Sequence, residues 1–408
     1  MDNYTIKFLS PPKDISIKLN ASKSESNRLI IIKALAKEEI EIKNLSNAND
    51  TILLKKLVSK NSSKIWDAED AGTTMRFLTS YLSLKKDGVL LTGTDRMKKR
   101  PIKVLVDALN KIGATISYQG EEGYPPLNIK KKITENINKV EIRGDVSSQY
   151  ISSLLLIAPK LKNGIEINII KPFYSKPYVK MTLRLMEFFG VIYKFDNNQI
   201  RIKSQNYIGG TYSVESDWSA ASYWYSILSI NKNIKKINLL GLKKDSLQGD
   251  QIISKIMSLI GINTTYNKNG IEIIKKNTIC DYIELDFKDC PDLAQTVIVV
   301  AAFHKIKLKI YGVESLKIKE TNRLNAMRNE LNKIGVRFYE KGNFWILERR
   351  DKKFPISVSI DTYKDHRMAM AFAPLSSEIN ISINNPEVVN KSYPMFWDDM
   401  KKAGYNIT

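Results

Sequence analysis

Six segments along the chain share one pattern of apolar and polar positions. In each segment, apolar residues recur at i, i+3 or i+4, and i+7, which predicts an amphipathic helix, and a short β-rich run follows. A glycine separates helix from strand in five of the segments, and both glycine and asparagine tolerate the left-handed conformation that ends many helices. The segments start at Leu53, Leu105, Leu183, Ile252, Leu324 and Phe396, and the residues at the ends of their helices are Asn61, Gly113, Gly190, Gly261, Gly335 and Gly404.

The spacing of these glycines indicates a repeated unit. Successive glycines lie 77, 71, 74 and 69 residues apart, which is the length of a supersecondary unit and too long for a solenoid repeat. We therefore predict an α/β (α+β) chain built from six copies of one module. The 408 residues, 43% of them hydrophobic, suffice for two domains of three modules each. The alternative is that helix, glycine and strand follow one another simply because this order is common in α/β proteins.

The charge and the cysteine content of the chain limit the classes of ligand and metal site that it could have. The formal charge of +21 comes from lysines spread along the whole chain, without the basic stripe and stacking aromatics typical of nucleic-acid binders. A small anionic substrate explains the charge better, because a basic field concentrates anions. Two cysteines and two histidines predict neither a disulfide framework nor a zinc site. A magnesium site made of oxygen ligands alone stays open.

Neither a membrane span nor a secretory signal is expected. No apolar stretch reaches the roughly 20 residues that a membrane helix needs. The segment MDNYTIKFLSPPKD lacks the basic start and the apolar middle of a signal peptide. The expected location is the cytoplasm.

Polar segments between the modules of the first half pair basic residues with hydroxyls or turn residues. Such groups at the start of a helix suit a phosphate or a carboxylate. In DAGTTMR, Gly72 permits close backbone approach and Thr73 is expected to cap a helix beginning at Met75. Arg100 precedes Pro101, which is expected to open the next helix. The other candidates in this half are Lys23, Ser24 and Arg28 in KSESNR, Ser147, Ser148 and Gln149 in GDVSSQ, and Ser175 and Tyr178 in SKPY.

The second half adds acid–base groups to the same kind of segment. A buried carboxylate among many cations has its ionisation tuned, as general acid–base catalysis requires. His366 alone is more typical of a structural histidine, and we also interpret His304 as structural. The candidates are Asp292 in PDLAQT, Lys319, Glu320 and Arg323 in KIKETNRL, His366 and Arg367 in KDHRMAM, and Lys391 in NKSYP.

Taken in order, eight motifs resemble those of the enolpyruvyl transferases. The motifs are KSESNR, DAGTTMR, RMKKRP, GDVSSQ, SKPY, PDLAQT, KETNRL and DHRMAM, and the resemblance extends from about Ser22 to Lys391. It implies two domains, each of three βαβαββ units, that close over the substrates. The domains implied are residues 1–21 plus 216–408, and residues 22–215.

Within the family, the motifs are most similar to the branch that acts on shikimate 3-phosphate. The resemblance implies transfer of the enolpyruvyl group of phosphoenolpyruvate to the 5-hydroxyl of shikimate 3-phosphate, with release of phosphate, in the shikimate pathway of aromatic amino acid biosynthesis. It implies a monomer that needs no metal or cofactor and binds neither nucleic acid nor membrane.

The resemblance also assigns the site residues by matching positions. The acid–base candidates are Lys23, Asp292 and Glu320. Shikimate 3-phosphate is expected to contact Lys23, Ser24, Arg28, Ser147, Ser148, Gln149, Ser175, Tyr178, Asp292, Ser315 and Lys319. Phosphoenolpyruvate is expected to contact Lys23, Gly72, Arg100, Gln149, Arg323, His366, Arg367 and Lys391.

The chain departs from the commonest family pattern at three positions. Asp70 and Ser315 stand where asparagine is usual, and Phe77 stands where proline is frequent. Gly72 matches the small residue that leaves room for glyphosate in sensitive members, so we expect inhibition by glyphosate.

Two alternative functions stay open. One is the family branch that uses UDP-N-acetylglucosamine, which carries a reactive cysteine or aspartate ahead of the position of Arg100. The stretch TGTDRMKKRP has no cysteine, whereas Asp95 fits by spacing. The other is a basic nucleic-acid-binding protein without catalysis.

Overall fold

A computed structural model describes residues 3–59, 63–85, 87–133, 137–276, 280–348 and 353–408. The chain forms two compact units. Residues 22–214 make the inserted unit, and residues 1–21 with 215–408 make the discontinuous unit. The sequence-based division assigned Glu215 to the former, but its carboxylate accepts hydrogen bonds from Trp218 Nε1 at 2.9 Å and from Ser246 Oγ at 2.6 Å, both in the discontinuous unit.

The inserted unit contains helices α1 to α6 and strands β3 to β12. The helices are α1 Lys23–Leu35, α2 Asn49–Val58, α3 Gly72–Lys85, α4 Lys103–Lys111, α5 Ser148–Ile157 and α6 Lys176–Phe188. The strands are β3 Ile40–Lys43, β4 Ile65–Asp67, β5 Val89–Thr92, β6 Thr115–Tyr118, β7 Leu127–Lys131, β8 Lys139–Arg143, β9 Ile165–Ile170, β10 Tyr193–Asp196, β11 Gln199–Ile202 and β12 Gly210–Ser213. They form sheets in the orders β4-β5-β7-β6, β10-β11-β9-β8 and β12-β3.

The discontinuous unit contains the remaining elements in three four-stranded sheets. Its helices are α7 Trp218–Ile230, α8 Ile253–Ser258, α9 Ala294–Phe303, α10 Arg323–Lys333, α11 His366–Phe372 and α12 Phe396–Lys402. Its strands are β1 Asn3–Phe8, β2 Ser16–Lys18, β13 Lys236–Leu240, β14 Ile262–Asn267, β15 Gly270–Lys275, β16 Tyr282–Asp286, β17 Lys307–Tyr311, β18 Phe338–Lys341, β19 Phe344–Leu347, β20 Ser357–Ile360, β21 Asn380–Asn384 and β22 Tyr405–Ile407. The sheet orders are β14-β15-β13-β2, β16-β17-β19-β18 and β20-β21-β1-β22.

Each four-stranded sheet has the same internal order. In the sheets that hold β4, β8 and β16, two parallel strands are joined by a helix, a second helix follows, and the last two strands pair antiparallel, as in β8-α5-β9-α6-β10-β11. In the sheet that holds β2, the whole inserted unit and α7 lie between the parallel strands β2 and β13. In the sheet that holds β20, the N-terminal strand β1 takes the place of the last strand. The five glycines predicted to end helices all have positive φ, between 73° and 104°.

The unit that contains α1 and α2 departs from the predicted βαβαββ pattern. Among the described residues its sheet has only β12 and β3, which run parallel. In the described part of the chain, the strand that follows α2 is β4, which joins the next sheet. Asn61, predicted to end this helix, lies outside the described residues.

The strands have one solvent-exposed face, whereas several helices are buried in the core. Strands such as β8 alternate exposed and buried residues, so one face of the sheet is solvated and the other is packed. The helices α5, α7 and α9 are buried on nearly all sides, which makes them the centre of their units. Because α3 packs against α5, and α9 packs against α7 and α11, the sheets enclose a helical core in each unit.

Candidate active site

Lys23 and Asp50 bring the first turns of three helices together in the inserted unit. Ser22 caps α1, so Lys23 is its first residue, and the Lys23 Nζ lies 3.1 Å from Asp50 Oδ2 in the first turn of α2. The hydroxyl of Thr74 at the start of α3 donates to the Asp50 carbonyl oxygen at 3.3 Å. The N-terminal ends of α1, α2 and α3 are therefore neighbours.

The start of α5 joins this group through Gln149. Ser147 is the N-cap, and its hydroxyl accepts a hydrogen bond from the Gln149 backbone N–H at 3.3 Å, with Ser148 as the first helical residue. The Gln149 Nε2 donates to the Thr73 hydroxyl at 3.0 Å. Helix α3 begins at Gly72, three residues before the predicted start at Met75, so Thr73 lies inside the helix.

Gly72 and Arg100 are in direct contact. A methyl group on Gly72 would lie 2.7 Å from Arg100 Nη1 and 2.9 Å from Nη2. The guanidinium of Arg76 supports the same corner, because it donates to the Gly72 carbonyl at 3.1 Å and to the Pro101 carbonyl at 3.2 Å. Helix α4 begins at Lys103 rather than at the predicted Pro101. The absence of a side chain at Gly72 thus makes room for the Arg100 guanidinium.

Arg28 lies deeper than the other predicted phosphate contacts and is 2% exposed. Its guanidinium donates to Thr182 Oγ1 at 2.6 Å and to the Ser24 carbonyl at 2.8 Å. It also reaches the Tyr178 carbonyl at 3.3 Å, and burial lowers the pKa of Arg28 to about 10. The Phe77 ring, one of the departures from the family pattern, lies 5.5 Å from the Arg28 guanidinium carbon. Arg28 thereby ties the start of α1 to the start of α6.

Ser175 precedes α6 in a left-handed conformation, with φ 55°. This sharp turn brings the first turn of α6, which includes Tyr178, against Arg28 and therefore to the same end of the unit as α1. The N-terminal end of a helix carries unpaired N–H groups and a partial positive charge. Helix starts from α1, α2, α3, α5 and α6, together with Lys23 and Arg100, make this end of the unit suitable for an anion.

The discontinuous unit has a denser charge cluster centred on Arg323, the first residue of α10. Its guanidinium is 2% exposed and makes three ion pairs: with Asp365 Oδ2 at 2.7 Å, Glu320 Oε2 at 2.8 Å and Asp292 Oδ1 at 2.9 Å. Burial opposes the charge of Arg323, but these carboxylates outweigh burial and raise its pKa above its ordinary value. Arg323 therefore stays charged and fixes three acidic groups around one point.

Arg367 and Lys319 hold the other side of Asp292. The Arg367 Nη2 lies 2.9 Å from Asp292 Oδ2, and the Lys319 Nζ lies 3.9 Å from Asp292 Oδ1. Burial on its own raises the pKa of Asp292, but the surrounding cations, Arg367 first, hold that pKa well below its ordinary value. Asp292 is therefore ionised at neutral pH, and the same cations make it a weak base in the protein without substrate.

Four residues that sequence reasoning missed complete the two clusters. Asp365 is fully buried, caps α11 through the Arg367 backbone N–H at 2.9 Å, and pairs with Arg323. The Tyr223 hydroxyl accepts from Arg367 Nη1 at 3.2 Å. Asp250 accepts from Ser219 Oγ, and burial together with the charge of Asp292 raises its pKa to about 6. Asp50 is the fourth, and each aspartate precedes or opens a helical turn, which is the signal that could have found it.

The other residues of this unit that the sequence predicted lie at the start of α11 and in two 3-10 turns. His366 is buried as the first residue of α11, and its Nδ1 lies 3.5 Å from Asp365 Oδ1. Lys391 is buried at the end of a 3-10 turn over Pro386–Lys391 that packs against α11. Ser315 is half-buried in the 3-10 turn Glu314–Ile318 that leads to Lys319. For His304, the contacts are consistent with a structural role. Its Nε2 lies 2.8 Å from Ser229 Oγ, and burial lowers its pKa to about 4.

Chemically, the two clusters differ. The inserted unit presents helix starts, hydroxyls and the cations Lys23, Arg28 and Arg100, which suit an anion, and its carboxylate Asp50 is paired with Lys23. The discontinuous unit presents arginines interleaved with carboxylates, one of them held ionised, which suits both anion binding and proton transfer. No helix within the described residues is both long and apolar enough to span a membrane.

Comparison with known proteins identifies the class and then the family. The solved structure of EPSP synthase from Acinetobacter baumannii matches with a TM-score of 0.79 over 100% of both chains at 21% identity, so the two share a fold. The mixed α/β fold predicted from the sequence is thereby confirmed. The family model described as EPSP synthase (3-phosphoshikimate 1-carboxyvinyltransferase) matches residues 53–400.

Relatives with the same name match this chain over nearly its whole length. A 3-phosphoshikimate 1-carboxyvinyltransferase of Bacteroides fragilis is 43% identical over 410 residues, which are 98% of each chain. Another, of Buchnera aphidicola subsp. Cinara cedri, is 37% identical over 428 residues, covering 97% of this chain and 96% of the relative. The chain belongs to the EPSP synthase family. The predictions of an enzyme, and of a transferase, are confirmed by this membership.

Proposed function

We propose that the chain transfers the enolpyruvyl group of phosphoenolpyruvate to the 5-hydroxyl of shikimate 3-phosphate and releases phosphate. The observation that carries this proposal is the 43% identity, over the full length, to a relative named for that reaction. The two charge clusters support it, because both substrates are multiply charged anions and the clusters are rich in cations and helix starts.

We assign binding of shikimate 3-phosphate to residues that offer hydroxyl, amide, carboxylate and lysine groups. Neutral donors such as Ser147 and Ser148 recognise phosphate oxygens and ring hydroxyls without adding charge. The full proposed set is Lys23, Ser24, Arg28, Ser147, Ser148, Gln149, Ser175, Tyr178, Asp292, Ser315 and Lys319.

We assign binding of phosphoenolpyruvate chiefly to arginines. A planar guanidinium pairs with a carboxylate or a phosphate through two parallel hydrogen bonds, and Arg100, Arg323 and Arg367 are all buried enough for such pairs to be strong. The full proposed set is Lys23, Gly72, Arg100, Gln149, Arg323, His366, Arg367 and Lys391.

The proposed reaction is an addition followed by an elimination. The 5-hydroxyl oxygen attacks C2 of phosphoenolpyruvate while C3 gains a proton, which forms a tetrahedral intermediate. That intermediate then loses a proton from C3 and expels phosphate from C2, so the vinyl group is restored on the product. Asp292 is the proposed base for the hydroxyl because it matches the family motif at that position; its carboxylate is ionised, and the nearby cations that keep it ionised must move towards the anionic substrates before it becomes an effective base. Lys23 and Glu320 are the candidates for proton transfer at C3.

We further propose that the enzyme acts as a cytoplasmic monomer and does not bind nucleic acid. The spread of its lysines along the chain supports the absence of nucleic-acid binding, because nucleic-acid binders usually cluster their basic residues. Light scattering of the purified protein at several concentrations tests the monomer. Retention on a DNA column that falls steeply with salt, in a preparation without turnover, would support the non-catalytic alternative instead.

The decisive experiment measures phosphate release from phosphoenolpyruvate in the presence and absence of shikimate 3-phosphate. We expect release only when both substrates are present, with one enolpyruvyl ether formed per phosphate. Release with UDP-N-acetylglucosamine as acceptor, and none with shikimate 3-phosphate, would assign the chain to the other branch of the family.

A Glu320→Gln variant tests the acid–base assignment. We expect kcat to fall by about 10² to 10⁴, the usual contribution of a general acid or base, while both substrates still bind. The matched control is Glu314→Gln, an exposed glutamate of the preceding 3-10 turn, which should retain the parent rate. A Glu320→Gln enzyme with the parent rate would remove Glu320 from the mechanism.

A further inference from the structure

A cavity of about 460 Å³ in the inserted unit is not used by the proposed mechanism. Its lining consists of lysines, asparagines and one aromatic ring, with a single carboxylate: Lys171, Lys176, Lys180, Phe195, Asp196, Asn197 and Asn198. None of these residues belongs to the proposed contacts of either substrate. The cavity therefore needs an explanation of its own.

The charge of the lining is unbalanced. The side chains of Lys171 and Lys180 make no ion pair or hydrogen bond with any residue of the described chain segments. The one carboxylate, Asp196, accepts a hydrogen bond from Asn197 Nδ2 at 3.1 Å, which directs it along the turn. Lys171 and Lys180 beside one such carboxylate leave an excess of positive charge, which an anion would neutralise.

Lys176 is held in place by aromatic rings. Its Nζ lies 5.4 Å from the centroid of Phe195 and 5.9 Å from that of Phe173, within the range of cation–π attraction. Lys180 is four residues further along α6, so the two ammonium groups project from the same face of the helix. The three lysines therefore line one open cavity, in which Lys171 and Lys180 are exposed to solvent.

The cavity lies at the end of the unit where the helices begin. Lys171 directly follows β9, and the turn between β10 and β11 adjoins the same strand end, since the Ile169 N–H donates to the Asn198 carbonyl at 2.9 Å. The Gly144 N–H, just ahead of Ser147, donates to the Ile170 carbonyl at 3.0 Å. In open α/β sheets, ligands bind outside the carboxyl ends of parallel strands, which is where β8 and β9 end here.

We propose that this cavity is an outer anion-binding site that captures the phosphate group of a phosphorylated substrate before it reaches the proposed catalytic residues. The proposal rests on the proposed function for the identity of that substrate. The lysines call for an anion, and the proposed substrates make that anion a phosphate monoester. Shikimate 3-phosphate and phosphoenolpyruvate both carry this group, and the kinetic experiment distinguishes them.

The first test measures phosphate binding without turnover. The purified protein is treated briefly with an amine-acylating ester in inorganic phosphate or in chloride of equal ionic strength, and each lysine is quantified by peptide mass spectrometry. We expect phosphate to slow labelling of Lys171 and Lys180 about threefold once its concentration reaches about twice its Kd. Lys111 and Lys130, exposed lysines on other elements of the same unit, serve as controls. Equal protection of all four, or of none, would overturn the proposal.

The second test compares two double variants with the same change in charge. At low ionic strength we expect Lys171→Gln/Lys180→Gln to lower kcat/KM by about threefold to tenfold, and the loss to shrink in 0.5 M salt, where the Debye length is about 4 Å. The Lys111→Gln/Lys130→Gln control should stay near the parent. A larger loss when shikimate 3-phosphate is varied identifies it as the captured substrate, and a larger loss for phosphoenolpyruvate identifies that one.

The outcomes separate this proposal from the proposed function. An equal loss in both double variants would show a general field and overturn the local site, and so would a loss that salt does not reduce. If the parent enzyme shows no turnover, the proposed function fails, while the labelling experiment still decides whether the cavity binds phosphate.

Discussion

Asp250 offers the sharpest test of the electrostatics in the discontinuous unit. Its side chain is 3% exposed, and burial and the negative charge of Asp292 outweigh the opposing effects of the Ser219 hydroxyl and of Arg367. Asp217 adds further negative charge. The pKa of Asp250 is therefore raised from its ordinary 3.8 to about 6. Replacing it with asparagine removes the titrating group while keeping its shape and a hydrogen-bond acceptor for Ser219.

The magnitude follows from the shift. One pKa unit corresponds to about 1.4 kcal/mol, so a rise from 3.8 to about 6 corresponds to about 3 kcal/mol of folding free energy. Because the folded pKa is the higher one, this contribution is fully present below pH 3.8 and is lost as the pH rises through about 6. About 2 kcal/mol of the loss falls between pH 4.5 and pH 7.5. The Asp250→Asn variant lacks the titrating carboxyl, so this loss of folding free energy with rising pH does not occur in it.

Urea unfolding at several pH values, followed by tryptophan fluorescence, measures the effect. Trp218, Trp224, Trp345 and Trp397 all lie in the discontinuous unit and report on it. We expect the stability of Asp250→Asn relative to the parent to increase by about 2 kcal/mol from pH 4.5 to pH 7.5. Asp245→Asn, an exposed position nearby, should show no such trend. A difference that does not depend on pH, or that changes in the opposite direction, would refute the reasoning.

Three further predictions concern other parts of the protein. Gly72→Ala displaces the Arg100 guanidinium, so KM for phosphoenolpyruvate should rise about tenfold, or 1.4 kcal/mol, with little change in the unfolding midpoint. The parent enzyme should be inhibited by glyphosate, and an inhibition curve that stays flat to millimolar concentration contradicts this. Tyr393→Phe removes a buried hydroxyl that accepts from Trp224 at 3.2 Å and donates to Asp399 at 2.8 Å, so urea unfolding should show a loss of about 1–3 kcal/mol, and an unchanged midpoint would contradict it.

Apolar periodicity predicted the helices better than their ends. The amphipathic pattern and the terminal glycine predicted α4, α6 and α10 because each buries one face and ends in a left-handed residue. The starts of α3 and α4 were wrong by three and two residues. A helix start depends on which backbone groups find partners nearby, and at α4 the Ile102 N–H is bonded to the carbonyl of Gly123, a contact that no local pattern reveals.

The cations of the candidate site and the carboxylates Asp292 and Glu320 could be predicted, whereas the carboxylates Asp50 and Asp365 could not. Lys23 and Arg323 stand in recognisable motifs, but Asp50 is 27 residues from the lysine it binds, and Asp365 is 42 residues from its arginine. Pairing over such distances is set by how the helices pack. The departure at Phe77 has a similar explanation, since its ring contacts Arg28 of another helix.

The repeated module itself explains why charged groups collect at the ends of helices here. In each βαβαββ unit, both helices start after a strand, and the two strands that precede them run parallel, so both helix starts emerge at the same edge of the sheet. Packing several such units around a helical core brings many helix starts together, as the hydrogen bonds from Lys23 to Asp50 and from Gln149 to Thr73 demonstrate. Each start contributes unpaired N–H groups, and a polar residue placed there serves both as a cap and as a contact for an anion. The same residues that end the strands and begin the helices are therefore the ones that sequence reasoning identified as candidates for chemistry.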